Sequence, residues 1–298
     1  MKGATVFAPG SVGNVGPGFD ILGLAIDGIG DRVTVELGKT GPVIVRGVDA
    51  ELVPTDPARN AAAIAASALL SKQPFQVTIE KGIPVSAGLG GSASSSVAGA
   101  YAAALASGDP VTREAIMLCA LEGEIAVSGR HLDNIAPITM GGLVLSRSID
   151  PIDVIPLPAP QNWSIALITP RVRIETKQAR AILPQKWERE SWIQQMANTS
   201  ALIVAFSTGD GALARRALDD LYAEPRRAPM IPHFYDVKRA ALDAGAFGCS
   251  ISGSGPTIFA IVDASTSRNC AEAMRRAMGN VPSEVRVAGI ARQGAHPI

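Results

Sequence analysis

Three glycine-rich segments hold most of the residues that could do chemistry. They cover residues 9–20, 84–94 and 250–257, and the middle one reads PVSAGLGGSAS. Glycine permits positive φ and lets backbone N–H groups approach a ligand closely. A helix predicted to begin near Ser92 would add unpaired N–H donors and a partial positive charge. The middle segment therefore predicts an anion site, of the kind that most often holds phosphate.

Two other phosphate-binding motifs can be compared with this segment. The Walker A ending at residues 38–40 fails, because Val33 stands where that motif needs glycine. A dinucleotide-binding fingerprint fits residues 88–93, with Asp109 about twenty residues later. However, residues 81–87 separate the glycines from the preceding strand. A nicotinamide-dependent oxidoreductase and a ligand-free glycine turn therefore stay open as weaker alternatives.

The elements that must position these segments mix strands and helices without regular βαβ order. Strands are predicted at residues 4–8, 31–37, 43–45, 76–80, 163–169, 255–262 and 284–290. Helices are predicted at residues 60–70, 92–107, 112–129, 176–183, 191–207, 211–222, 236–244 and 266–278. This pattern predicts an α+β fold. The proline-rich residues 150–160 indicate a linker or a crossover, so we expect domains at 1–155 and 156–298.

Composition excludes several classes of function. The chain has 298 residues, 47% apolar and 18% charged, which argues against intrinsic disorder. Lys plus Arg number 27 and Asp plus Glu number 27, so no positive excess supports a nucleic-acid partner. Three cysteines and three histidines show no zinc-ligand spacing. Neither a signal peptide nor an apolar run of membrane-spanning length is present, so we expect no membrane partner and a cytoplasmic location.

In order and spacing, the three segments resemble the motifs of the GHMP kinase superfamily. The superfamily's ATP loop, PxxxGLGSSA, matches residues 84–94, although Gly91 stands where the first of two serines is usual. Likeness to its homoserine kinase branch rests on residues 128–137, 176–184 and 223–227. The resemblance implies a two-domain α+β architecture. Its N-terminal domain is mixed α/β and binds nucleotide, and its C-terminal domain is ferredoxin-like.

The resemblance also implies ATP and Mg²⁺, and it assigns residues to both. Mg²⁺ would be held by Ser92 and Glu124, with Glu122 a nearby rival. Oxygen ligands of this kind suit a hard cation that bridges phosphates. The expected nucleotide contacts are Asn60, Pro84, Val85, Ser86, Ala87, Gly88, Leu89, Gly90, Gly91, Ser92, Ala93 and Ser94.

The implied reaction is phosphorylation of L-homoserine to O-phospho-L-homoserine. The expected substrate contacts are Asn14, Asp20, His131, Thr176, Arg180, Arg227 and Gly253. A carboxylate such as Asp20 suits the substrate ammonium, and guanidinium groups suit its carboxylate, with Arg226 a rival to Arg227. Asn134 is expected in the catalytic centre. Asp133 is only a candidate base, because positioning and charge neutralisation do most of the work in phosphoryl transfer.

Two alternatives share this architecture. One is a superfamily member that acts on mevalonate or a sugar, and the other is a catalytically silent nucleotide-binding regulator. The resemblance further implies a homodimer.

Overall fold

The computed structural model describes residues 3–71 and 73–298, which form two sheets with helices packed on them. The strands of the first sheet are β1 (Gly3–Gly13), β2 (Leu22–Leu37), β3 (Ile44–Gly47), β4 (Phe75–Lys81), β5 (Leu143–Ile149), β6 (Ile152–Leu157) and, from the C-terminus, β11 (His296–Pro297). Their order is β11-β1-β2-β4-β3, with β5 beside β2 and β6 beside β5. Only the β3–β4 pair is parallel. A dinucleotide-binding fold is therefore excluded, since it requires a mostly parallel sheet.

In the N-terminal half, described over residues 3–71 and 73–157, the α-helices are α1 (Ala61–Leu70), α2 (Gly91–Ser107), α3 (Arg113–Val127) and α4 (Ile135–Met140), and a short 3-10 helix covers Ala50–Leu52. α2 is central, because it packs on α1, α3, β1 and β2. Its small side chains allow this crowding: a Cβ on Gly99 would lie 2.5 Å from the backbone oxygen of Ala62 in α1. Thr112, where the third predicted helix begins, caps α3, its hydroxyl accepting from the N–H of Ala115 at 3.2 Å.

The second sheet comprises β7 (Trp163–Pro170), β8 (Gly248–Ile251), β9 (Ile258–Asp263) and β10 (Ser283–Gly289). Its antiparallel order β10-β7-β9-β8 is the 4-1-3-2 order of a ferredoxin-like fold. The α-helices of the C-terminal half are α5 (Thr176–Ala181), α6 (Arg189–Thr208), α7 (Gly211–Ala217), α8 (Glu224–Arg227), α9 (Phe234–Asp243) and α10 (Ser267–Ala277), and a short 3-10 helix covers Ala228–Met230. The predicted α+β architecture with a ferredoxin-like C-terminal part is confirmed.

The two halves share one of three hydrophobic clusters. Leu24 and Ile26 of β2 belong to the same buried cluster as Trp163 and Leu167 of β7 and Phe206 of α6. This common core fixes the cleft between the sheets, where the three glycine-rich segments meet. No helix within residues 3–71 and 73–298 combines the length and apolar character needed to cross a bilayer.

Some predicted elements are wrong in type or extent. Residues 150–160 are not a linker, because Ile152–Leu157 forms β6 on β5. Pro156 is tolerated there, since β6 pairs on one side only. The expected domain division between residues 155 and 156 lies inside this strand and stays a prediction. The helix predicted at 211–222 ends at Ala217.

Candidate active site

A cavity of about 440 Å³ lies where the three glycine-rich segments converge. Its lining includes these predicted site residues: Asn14, Asp20, Asn60, Pro84, Val85, Ser86, Ala87, Gly88, Gly90, Gly91, Ser92, Glu124, His131, Asp133, Asn134, Thr176, Arg180, Arg227 and Gly253. Residues distant in sequence and located in both halves therefore face one space. Leu89, Ala93 and Ser94 do not line it.

The loop between β4 and α2 forms one wall of the cavity. Gly88 and Gly90 have positive φ angles of 77° and 67°. A side chain at Gly90 would also collide with Ser11, whose Oγ lies 2.2 Å from the ideal Cβ position. Gly91 and Ser92 open α2 at the cavity, so first-turn N–H groups lack intrahelical acceptors there. This wall has the donors and partial charge of an anion site.

The third glycine-rich segment holds the loop from the opposite half. The hydroxyl of Ser252 donates to the oxygen of Gly88 at 2.7 Å, and that of Thr257 donates to Ala87 at 2.6 Å. From behind, Ser94 donates to the oxygen of Ala8 at 2.8 Å, and the oxygen of Leu89 accepts from the N–H of Ser11 at 3.1 Å. Ser94 and Leu89 thus support the loop and do not face the cavity.

A buried charged network beneath the loop was not predicted from the sequence. Lys81 Nζ bonds the carboxylate of Asp31, and it also donates to the oxygen of Gly91 at 3.2 Å. Asp31 is fully buried and accepts from the N–H groups of Gly82 and Ile83 at 3.0 and 3.1 Å. Ser95 adds a hydroxyl donor to Asp31 at 2.6 Å. The network ties β2, the end of β4 and the first turn of α2 together.

A signal for this network exists in the sequence. Arg32 and Glu80 are cross-strand partners in the β2–β4 register, so Asp31 and Lys81 are the next opposed positions. Opposite charges at opposed positions of two strands favour pairing. The register, however, becomes known only from the structure.

Glu124 of α3 is the carboxylate best suited to a metal. It is 3% exposed, Oε2 accepts from the Ser128 hydroxyl at 2.6 Å, and Oε1 has no hydrogen-bond partner among the described residues. Burial raises the pKa of Glu124, although the hydroxyls of Ser128 and Ser92 and the charge of His131 oppose the shift. The rival Glu122 is exposed and lines a different groove.

The described residues contain no group of three or more His, Cys, Asp or Glu side chains arranged to hold a metal by themselves. Mg²⁺ commonly takes one or two carboxylates and completes its shell with waters and substrate phosphates. An unpartnered buried carboxylate oxygen beside Ser92 fits that ion.

Asp20 and Arg180 both line the cavity and face each other there. Their side chains form two parallel hydrogen bonds of 2.7 and 2.8 Å, which raise the pKa of Arg180. The N–H of Asp20 donates to Oδ1 of Asn14 at 3.0 Å, and Asn14 Nδ2 donates to the oxygen of Gly253 at 2.9 Å. Two residues expected to bind opposite charges of one substrate are thus each other's partners here.

Arg227 lies in the cavity wall and is 2% exposed. It donates to the oxygens of Ala179 and Gly253 at 3.1 and 2.8 Å. Burial and the charge of Arg180 lower the pKa of Arg227. Within the described residues it has no carboxylate within 4.0 Å. Its rival Arg226 donates to backbone oxygens outside the cavity lining, so Arg227 is the arginine available to an anion.

His131 and Asp133 form an ionic contact in the cavity floor. Nδ1 of His131 lies 3.0 Å from Oδ1 of Asp133, without hydrogen-bond geometry. Burial is the strongest single influence and lowers the pKa of His131. The closeness and charge of Asp133, together with the charges of Asp20 and Glu124, outweigh it and leave that pKa raised. The other oxygen of Asp133 accepts from the N–H of Asn14 at 3.1 Å, and Asn134 accepts from Ser11 at 2.8 Å.

Two further predicted residues have local bonds. Asn60 caps α1, accepting from the N–H groups of Ala62 and Ala63 and donating to the oxygen of Pro54. The side chain of Asn60 therefore stabilises the start of α1, although the residue also lines the cavity. The hydroxyl of Thr176 lies 3.3 Å from that of Ser254, so α5 touches the third glycine-rich segment.

Comparisons with known proteins agree over the whole chain. Residues 58–142 match the family described as GHMP kinases N terminal domain, and residues 202–280 match GHMP kinases C terminal. The homoserine kinase of Chloroherpeton thalassium is 40% identical over 99% of both chains, and that of Chlorobium phaeobacteroides is 38% identical over 100% of both. The crystal structure of homoserine kinase from Cytophaga hutchinsonii superposes with a TM-score of 0.93 at 38% identity, covering 100% of this chain and 98% of that one.

Proposed function

Because the chain belongs to the homoserine kinase family of GHMP kinases, we propose that it transfers the γ-phosphoryl group of ATP to the side-chain hydroxyl of L-homoserine. The products are O-phospho-L-homoserine and ADP. One observation carries the proposal: a single cavity joins the anion-binding wall of Gly91 and Ser92 to a cluster formed by Asp20, Arg180 and Arg227. The first suits phosphates, and the second carries both charges that a zwitterionic amino acid requires.

At the phosphate end, the N–H groups of the loop and of the first turn of α2 would cradle ATP. Glu124 and Ser92 would hold Mg²⁺, which neutralises charge on the phosphate oxygens. Oε1 of Glu124 has no hydrogen-bond partner among the described residues, and a metal ion held by Glu124 would offset the cost of burying this carboxylate.

At the acceptor end, the part of the cavity lined by Asp20, Arg180 and Arg227, the Asp20–Arg180 pair would open, and each member would bind a charged group of the substrate instead. Asp20 takes the substrate ammonium, while Arg180 and Arg227 take the substrate carboxylate. Both members of the pair therefore regain an opposite charge when the zwitterion binds. A neutral sugar carries neither charge, and mevalonate carries only the carboxylate. Both would therefore offset less of the free energy lost when the Asp20–Arg180 ion pair opens.

Asp133 is held by groups that restrict its use as a base. One oxygen accepts from the backbone of Asn14, and the other faces His131 at 3.0 Å. The transition state of phosphoryl transfer is loose, so positioning and charge neutralisation lower most of the barrier. We propose that Asp133 and Asn134 mainly orient the acceptor end, with the hydroxyl proton passing to the transferred phosphoryl oxygens.

The test is a coupled ADP-release assay with MgATP and a panel of acceptors: L-homoserine, D-homoserine, mevalonate, galactose and L-threonine. We expect release that depends on L-homoserine alone. ADP release with mevalonate or galactose would refute L-homoserine as the substrate and would leave the assignment to the GHMP kinase fold unchanged. ATP binding without release for any acceptor would instead support the silent regulator.

The homodimer implied by the family resemblance and the cytoplasmic location expected from the sequence both stay predictions. Sedimentation equilibrium of the full chain tests the first. A mass of twice 30.8 kDa is expected, and a concentration-independent mass of 30.8 kDa would contradict it.

A further inference from the structure

Glu224 is a buried carboxylate that does not line the cavity. It is 5% exposed, its Oε1 pairs with Lys238 Nζ, and its Oε2 accepts from the Ser250 hydroxyl at 2.6 Å. Burial raises the pKa of Glu224, and Lys238 and Ser250 oppose that shift. These three residues belong to α8, α9 and β8, so one carboxylate joins three elements of the C-terminal half.

The same elements determine where Arg227 lies. α8 is a single turn that begins at Glu224 and ends at Arg227. Ser250 lies in β8, which leads into the segment whose Gly253 oxygen accepts from both Arg227 and Asn14. Glu224 therefore connects the helix that carries Arg227 to the strand that carries its acceptor.

α8 needs such support, because a one-turn helix is unstable by itself. Asp220 supplies part of it, accepting from the N–H groups of Ala223 and Glu224 at 3.1 and 2.8 Å. Gln195 of α6 holds Asp220 in turn, at 2.8 Å. Asp220 fixes the start of the turn, whereas Glu224 fixes its rotation against β8 and α9.

We propose that Glu224, through Lys238 and Ser250, is a positioning residue that holds Arg227 in the orientation required to bind the substrate carboxylate. This inference rests on the proposed function, in which Arg227 binds that carboxylate. It predicts a larger effect on the KM for L-homoserine than on the KM for ATP. Glu224 and Arg227 lie on the same turn of helix, whereas Ser250 reaches the loop at residues 84–94 only through Ser252 and Thr257. A group that merely stabilises the fold would change both KM values together or neither.

The first variants are Glu224→Gln, which keeps the shape and removes the charge, and Lys238→Met. We expect the KM for L-homoserine to rise about tenfold, because a small misplacement of a binding group is costly. The KM for ATP stays within about twofold in the same assay. Lys238→Arg keeps the ion pair and restores most of the affinity. Arg239→Met is the matched control, because exposed Arg239 lies on the same helix and has no partner among the described side chains.

Thermal unfolding of each variant establishes that it is folded. If Glu224→Gln does not fold, Ser250→Ala takes its place, because it removes one hydrogen bond only. It must then raise the KM for L-homoserine. An unchanged L-homoserine KM in folded variants, or equal changes in both KM values, would overturn the proposal.

Introducing Glu224→Gln into the Arg227→Ala variant tests the role of Glu224 separately from the proposed role of Arg227. If Glu224 acts through Arg227, then Glu224→Gln changes the L-homoserine KM of Arg227→Ala by less than about twofold. A further tenfold increase there would refute action through Arg227. If Arg227→Ala itself leaves that KM unchanged, the assigned role of Arg227 is wrong and the inference fails with it. If the wild-type protein shows no homoserine-dependent ADP release, the proposed function is the part that fails.

Discussion

Replacing Lys81 by Met should damage both the stability of the protein and its nucleotide site. The side chains of Lys81 and Asp31 are 5% and 0% exposed, and their ion pair joins β4 to β2. Met replaces the aliphatic part of the side chain with a similar unbranched one and removes the ammonium group and its charge. The change leaves Asp31 buried without its cation, and it removes the donor to the oxygen of Gly91 at the start of α2.

The size of the effect follows from the remaining partners of Asp31. Removing one member of a buried ion pair costs about 3–5 kcal/mol. Asp31 retains the hydroxyl of Ser95 at 2.6 Å and the N–H groups of Gly82 and Ile83 at 3.0 and 3.1 Å. Because three donors remain, we expect the lower end, about 3 kcal/mol of unfolding free energy. The KM for ATP should rise while the KM for L-homoserine changes little.

Urea unfolding and steady-state kinetics measure the two effects. Lys39→Met is the control, because its ion pair with Glu36 is about one-third exposed on each side and such pairs contribute about 0–1 kcal/mol. The double variant Asp31→Asn/Lys81→Met should lose less than the sum of the single losses, by about 1 kcal/mol or more. A Lys81→Met protein that loses no more stability than Lys39→Met would refute the reasoning.

Three further outcomes are expected. Glu124→Gln should lower kcat/KM more than about a hundredfold by weakening Mg²⁺ binding. The variant should nevertheless unfold at an equal or higher temperature, because it replaces a buried carboxylate whose Oε1 has no hydrogen-bond partner among the described residues. Its stability gain should grow as the pH rises from the ordinary carboxyl pKa through the raised pKa of Glu124, and a loss of stability would contradict this. Nuclear magnetic resonance titration should place the pKa of His131 above its ordinary 6.5, and Asp133→Asn should lower that pKa. The stability that this contact contributes is present below the unfolded-state pKa of His131 and is lost as the pH rises through its folded-state pKa. A His131 titration midpoint that does not move in Asp133→Asn would remove Asp133 as the cause of the shift. Asp20→Asn should raise the L-homoserine KM at least about tenfold, since Arg180 keeps its site and the ammonium loses its anion, and an unchanged KM would exclude Asp20 from ammonium binding.

Much of the site could be predicted from the sequence because its parts are local. The loop at residues 84–94 carries its own information in its glycines and in the helix that follows, and the structure places it at the cavity. The predicted helix starts at residues 60 and 112 coincide with Asn60 and Thr112, whose side chains cap α1 and α3. Local signals of this kind need no knowledge of the rest of the fold.

Non-local pairings could not be read in the same way. Asp20 and Arg180 are 160 residues apart in the chain, so nothing in either neighbourhood shows that they bond each other. The network of Glu224 depends on α8, a helix too short to give a periodic signal. Strand β6 was missed because its prolines indicate a linker, whereas pairing with β5 on one side is enough to hold it.

The most direct measurement is ADP release by the full chain with MgATP and L-homoserine, compared with two analogues that each lack one charge. 4-Hydroxybutyrate lacks the ammonium that Asp20 would bind, and homoserinol lacks the carboxylate that Arg180 and Arg227 would bind. We expect kcat/KM for each analogue to fall at least about a hundredfold, because the site's charged groups are then left unpaired. Turnover of either analogue at the rate of L-homoserine would contradict the assignment of the acceptor site.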